Sequence, residues 1–87
     1  MALDALAKKG SREILYALAK RNAMNFTELK ELIGSPTTAS QRLQELSSLG
    51  LVGREVQSDR FRSVRYSLTR RGARTVKLMR ELEGFLA

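Results

Sequence analysis

The chain has 87 residues and contains neither Cys nor His. That length makes one small domain with a single modest core and no room for a separate catalytic or sensor domain. The missing residue types remove disulfides, thiolate chemistry, imidazole metal ligands and the usual general base, so no metal, cofactor or catalytic site is expected. Sixteen Lys and Arg against nine Asp and Glu give a formal charge of +7, a balance that points to nucleic acid or another anionic surface. The opening stretch MALDALAKKGSREILYALAKR has neither a signal-peptide core nor a run long enough to span a bilayer. A soluble protein is expected, and the absence of Cys fits a reducing cytoplasm.

In chain order, Leu3, Leu6 and Ala7 suggest a short first helix that breaks at Gly10. Ser11 then caps a second run with Ile14, Leu15 and Leu18 on one face. In NFTELKELIG, Thr27 is the expected N-cap, Leu29, Leu32 and Ile33 have helical spacing, and Gly34 is the stop. Ser35 caps the next helix with Pro36 in its first position, where a missing N–H costs nothing, and Gly50 ends it. A short helix, a tight turn with Gly and a second helix form a helix-turn-helix. LVGREVQ and SVRYSLT read as two strands joined by the polar loop SDRFRS, and Thr69 caps a final helix carrying Val76, Leu78, Met79, Leu82, Phe85 and Leu86. The predicted class is mainly α with a small β-hairpin wing, in the order helix-helix-helix-strand-strand-helix, and residues 1–87 form one domain.

Three stretches, FTELKELIG, SQRLQELSSLGLVGREV and VRYSLTRRG, resemble the winged helix-turn-helix transcriptional regulators of bacteria and archaea, including the ArsR, MarR and HxlR groups. The resemblance runs along most of the chain. It implies a DNA-binding regulator, often dimeric through its outer helices. The metal-binding Cys and His of ArsR sensors and the N-terminal Cys typical of HxlR proteins are absent, so metal and thiol sensing are not expected.

On a helical wheel of residues 36–49, Ala39, Leu43 and Leu46 share one face, and Thr37, Gln41, Gln44 and Ser48 lie opposite, flanked by Thr38, Ser40 and Glu45. An ordinary solvated helix face carries Glu and Lys, which are better helix formers than Ser or Thr. A helix in the major groove instead needs side chains that donate and accept at base edges, as Gln, Ser and Thr do. The candidate contacts on this helix are therefore Thr37, Thr38, Ser40, Gln41, Arg42 and Gln44. Arg42, on the flank, has two readings: a phosphate contact, or a local ion pair with Glu45 or Glu55. On the wing, about residues 54–65, Arg54, Arg60, Arg62 and Arg65 are candidates for the phosphate backbone or an adjacent minor groove. Phe61 either folds onto the hairpin or acts as an apolar wedge.

Charge is uneven along the chain. Residues 1–50 hold seven basic and five acidic residues, net +2, whereas residues 51–87 hold nine and four, net +5. From Arg60 to Arg80 there are eight basic residues and no acidic one. Such a run is either a solvated Arg-rich face or a surface for DNA. The last helix has more apolar positions than one stripe requires, and Leu3, Leu6, Leu78, Leu82 and Phe85 are the candidate interface of a symmetric homodimer. The alternative is that both outer helices pack onto their own core. The expected function is sequence-specific binding of double-stranded DNA by a small dimeric regulator. The rivals are a winged helix used for protein interaction or RNA binding, and a non-specific chromatin protein. Exposed aromatic anchors would mark the first and a Lys- and Arg-studded helix face the second; the outer face of residues 36–49 has neither.

Overall fold

The computed structural model describes residues 2–58, 60 and 63–87. Among these, five helices, α1 (Ala2–Ala7), α2 (Ser11–Arg21), α3 (Phe26–Ile33), α4 (Pro36–Ser48) and α5 (Arg70–Leu86), pack with strands β1 (Ala23–Asn25), β2 (Val52–Val56) and β3 (Val64–Leu68). The expected order is extended at two places. The break expected at Gly10 (φ 96°) forms, so the N-terminal segment is two helices, α1 and α2, where the expected order counts one, and the helix after the helix-turn-helix turn is α4. Ala23–Asn25 adds a strand that the sequence pattern does not announce, because three residues are too short to show alternation. It pairs antiparallel with β3, with Met24 opposite Tyr66, while β2 pairs with the other edge of β3, with Arg54 opposite Tyr66.

Two expected caps are corrected. Ser11 is not the N-cap of α2; Gly10 holds that position, and Ser11 is fully buried with its Oγ donating to the Ala5 carbonyl at 2.7 Å. The hydroxyl thus ties α1 to α2. Thr27 does not cap α3 either. The side chain of Asn25 accepts from the Glu28 N–H at 2.8 Å, and Glu28 in turn accepts from the Asn25 N–H at 3.0 Å, a reciprocal capping box. The strand β1 decides this choice, since it fixes Asn25 in the extended conformation that a cap requires. At α4 and α5 the expected caps form: Ser35 accepts from the Thr38 N–H at 3.3 Å and Thr69 from the Gly72 N–H at 3.0 Å.

The core is centred on α2, whose Ile14, Leu15 and Leu18 are essentially inaccessible. Around them pack Met24, Leu29 of α3, Leu43 and Leu46 of α4, Leu51, Val52 and Val76 of α5. Each surrounding helix contributes one apolar stripe and keeps its opposite face in solvent. The wing is anchored at its base by Thr69. Its Oγ1 donates to the Gly50 carbonyl at 2.6 Å and its N–H to the Leu51 carbonyl at 3.0 Å. One turn on, Gly72 is buried, and a Cβ there would lie 2.0 Å from the Leu51 carbonyl oxygen. Only glycine allows α5 to approach the start of β2 this closely.

The capping geometry gives a direct comparison. Asn25→Ala should lower stability by about 1 kcal/mol, whereas Thr27→Ala should change it by less than about 0.5 kcal/mol. Thermal or urea unfolding of the two variants checks the assignment.

Candidate nucleic-acid interface

The turn between α3 and α4 is set by Gly34 (φ 86°), followed by Ser35 in an extended conformation. A positive φ at this point costs glycine nothing, and it lets α4 leave at once in a new direction. The helix then divides by its own periodicity. Ala39, Leu43 and Leu46 are buried, and Thr37, Ser40, Gln41, Gln44, Ser47 and Ser48 are exposed. Thr38 is half-buried beside the cap, and the Ser48 hydroxyl is turned back to donate to the Gln44 carbonyl at 2.9 Å. The outer face is therefore uncharged.

The two charged residues of α4 are drawn to one side. Arg42 Nη1 meets Glu45 Oε1 at 2.5 Å, and Lys8, just after α1, meets Glu45 Oε2 at 3.1 Å. The Arg42 side chain is only 14% exposed, so between its two readings the structure has the ion pair with Glu45. Hydrogen bonding from Lys8 is the largest cause holding the Glu45 carboxyl below the usual carboxylate range, with the charge of Arg42 assisting.

Between α4 and the wing lies a depression of about 570 Å³, bounded by Ser40, Gln44 and Ser47 of α4, Arg54 of β2, and the rings of Phe26 and Tyr66. Candidate residues from two separate stretches of sequence are thus brought together. Ser47 and Tyr66 were not singled out by the sequence. Ser47 could have been, since it stands three residues after Gln44 and seven after Ser40 on the same face. Tyr66 alternates with Val64 and Leu68 like a core residue, and only the packing shows that it also borders this depression.

The pairing register separates the wing arginines. Arg54 shares a strand face with Tyr66, whereas Arg65 lies opposite Glu55 and Asn25 and projects from the other face. Arg60 is exposed in the turn at the wing tip. Arg62 and Phe61 lie outside the described residues. Ion pairs among the described residues use Lys8, Arg12, Arg21 and Arg42, all before the wing. Arg54, Arg60, Arg65, Arg70, Arg71 and Arg74 pair with no carboxylate among the described residues and are exposed. Arg70 and Arg71 begin α5 without an acidic neighbour in its first turn. Cations at the positive end of a helix dipole work against local stability, so this surface concentrates positive potential at the base of the wing.

On the other side of the molecule, Leu3 and Leu6 of α1 and Leu78, Met79 and Leu82 of α5 line an apolar hollow of about 290 Å³. Leu6 and Met79 are partly buried against the core, as the own-core alternative expects. Leu3, Leu78 and Leu82 are more than half exposed, and Phe85, at the far end of α5, is 84% exposed.

A helix-turn-helix with a polar outer face, followed by a basic β-hairpin, defines a winged helix-turn-helix DNA-binding domain. The chain belongs to the HxlR-like helix-turn-helix family, whose profile matches residues 5–87. An uncharacterized HTH-type transcriptional regulator of Halalkalibacterium halodurans is 35% identical over 82 residues, which span 92% of this chain and 73% of that protein. Among solved structures, the reduced form of the transcriptional regulator YodB from B. subtilis superposes with a TM-score of 0.86 at 27% identity, covering 97% of this chain and 83% of YodB. A MarR family regulator from Silicibacter pomeroyi shares the fold, with a TM-score of 0.82 at 21% identity over 98% of this chain and 57% of that one. The protein is thus a DNA-binding transcriptional regulator, in a family of regulators rather than enzymes. No described helix is long and apolar enough to cross a membrane.

The Glu45 contacts predict a pH effect. Because the folded carboxyl titrates below its ordinary 4.5, its stabilising contribution is present above that value and is lost as pH falls through the lower, folded one. The stability difference between wild type and Glu45→Gln should be full at neutral pH and close as pH falls below 4.5 and through the lower, folded value. Denaturant unfolding of both proteins across the acid range measures it.

Proposed function

We propose that the protein binds a specific DNA sequence as a homodimer in the cytoplasm, with α4 in the major groove and the arginine-rich wing on the phosphate backbone or in the neighbouring minor groove. The observation that carries this reading is the exposed, uncharged face of α4, from which Arg42 and Glu45 are withdrawn into a pair while Gln41 and Gln44 point outward. Gln can bond adenine bidentately, and Ser and Thr can bond several bases. Thr37, Ser40, Gln41 and Gln44 are the proposed base readers, with Thr38 beside them. Arg54, Arg60, Arg62 and Arg65 are the proposed backbone contacts; Arg42 is assigned to holding α4 in place. Selection of bound duplexes from a random pool is the test: a recovered motif supports the reading, and a pool with no enrichment rejects it.

The two kinds of contact predict different variants. Gln41→Ala or Gln44→Ala should weaken binding to the selected site by about 1 to 3 kcal/mol and leave random duplex binding nearly unchanged. Arg54→Ala with Arg60→Ala should weaken binding to all duplexes and flatten the plot of log affinity against log salt by about 0.9 per lost phosphate contact. Titrations by fluorescence anisotropy at several salt concentrations separate the two.

The proposed dimer joins α1 and α5 of two copies through Leu3, Leu6, Leu78, Leu82 and Phe85. Support comes from the exposure of four of these apolar side chains and from the shared hollow that Leu3 and Leu6 make with Leu78 and Leu82. Clustered exposed apolar side chains of this kind often mark protein–protein contacts. Leu82→Glu would bury a charge at that contact and should yield a folded monomer; an intact dimer in sedimentation would reject this interface.

A further inference from the structure

After Val76, no described residue of α5 is fully buried, so the C-terminal half of that helix has little core holding it to the body. Beyond Met79, which is partly buried against the core, it is held by a polar cluster shared with α2. One carboxylate oxygen of Glu83 accepts a hydrogen bond from the Tyr16 hydroxyl, and the other meets Arg12 Nη2 at 3.0 Å. The Tyr16 ring lies near two guanidinium groups, with Arg12 at 5.5 Å and Arg80 at 5.2 Å from its centroid, both within cation–π range. Arg12 and Tyr16 are one helical turn apart on α2, and Arg80 and Glu83 one turn apart on α5. The four side chains therefore clasp the two helices at a single level.

At 100° per residue, Arg80 and Glu83 lie on the side of α5 opposite Leu78, Leu82 and Phe85. One side of the helix is fastened to the DNA-binding body and the other presents the proposed dimer contact. We infer that the Arg12–Tyr16–Arg80–Glu83 clasp fixes the angle between the winged body and its dimer helix, and so determines which spacing of DNA half-sites the protein accepts. This inference rests on the dimer proposed above. The geometry explains the sensitivity. Glu83 lies roughly 20 Å along α5 from the Thr69 cap, at a rise of about 1.5 Å per residue. A tilt of about 10° over such an arm displaces one body relative to the other by about 3.5 Å, close to the rise of one base pair. Two recognition helices must reach major grooves about one helical turn apart, so a displacement of one base pair matters.

Tyr16→Phe keeps the ring and removes the hydroxyl, and Glu83→Ala removes an exposed carboxylate; neither opens a core cavity. The probes are the duplex recovered by selection, the same duplex with its half-sites moved by one base pair in each direction, and an isolated half-site. The wild-type protein should favour the selected spacing. Both variants should remain dimers and bind the isolated half-site as wild type does, while their preference for the selected spacing falls roughly threefold to tenfold, the scale of one hydrogen bond to a charged group at a solvent-exposed site. Dimeric variants with the wild-type spacing preference would overturn the clasp alone. Variants weakened equally on the half-site would also overturn it, since the cluster would then support the DNA-binding body in general. A wild-type protein that sediments as a monomer, both free and on the selected duplex, would remove the dimer and this inference with it.

Discussion

The junction at Thr69 ties together the end of α4, the start of the wing and the start of α5. Its hydroxyl donates to Gly50 just past the end of α4, its N–H donates to Leu51 at the entrance to the wing, and its oxygen caps α5. A single residue therefore sets the relation among α4, the hairpin and α5. Gly72 completes the arrangement by letting α5 lie against the Leu51 carbonyl, where any side chain would collide. Backbone groups at the ends of three elements find their partners in the hydroxyl and N–H of Thr69, which removes the cost of leaving them unpaired.

From that junction the charges are sorted by position. Glu28, Glu45 and Glu83 are engaged by basic residues of the first half of the chain, and the exposed arginines of the wing and of the start of α5 remain without carboxylate partners among the described residues. Exposed ion pairs of this kind add little stability. Their larger effect here is on local charge: Glu28 of α3 and Glu45 of α4 are each paired with a basic residue. The withdrawal of Arg42 and Glu45 into one pair follows the same pattern within α4, and it leaves a surface that can discriminate bases by hydrogen bonding rather than by charge.

α5 combines two kinds of attachment. Its first turns are secured by Gly72 and Val76 in the core, and its later turns by the polar clasp around Tyr16, with the apolar side turned outward. A helix held by packing at one end and by exposed polar contacts at the other has its base set by the core and its far half set by those polar contacts.

Sequence alone determined the elements whose signals are local. Ser35-Pro36 and Thr69 marked helix starts, Gly34 marked the turn, and the spacing of Ala39, Leu43 and Leu46 separated the buried side of α4 from its polar one, because a helix imposes its period on any residue placed in it. Capping between α1 and α3 was less legible: Ser11 and Thr27 have suitable side chains, but tertiary contacts gave Ser11 to the Ala5 carbonyl and strand pairing gave the cap of α3 to Asn25. Strand β1 was invisible for the same reason, since three residues carry no period and become a strand only beside β3. The pairing of Arg42 and Lys8 with Glu45, the depression joining Ser47 and Arg54 to Tyr66, and the separation of Arg54 from Arg65 depended on tertiary structure. Each joins or divides residues according to which surfaces meet after packing, a relation between distant segments that no local periodicity encodes.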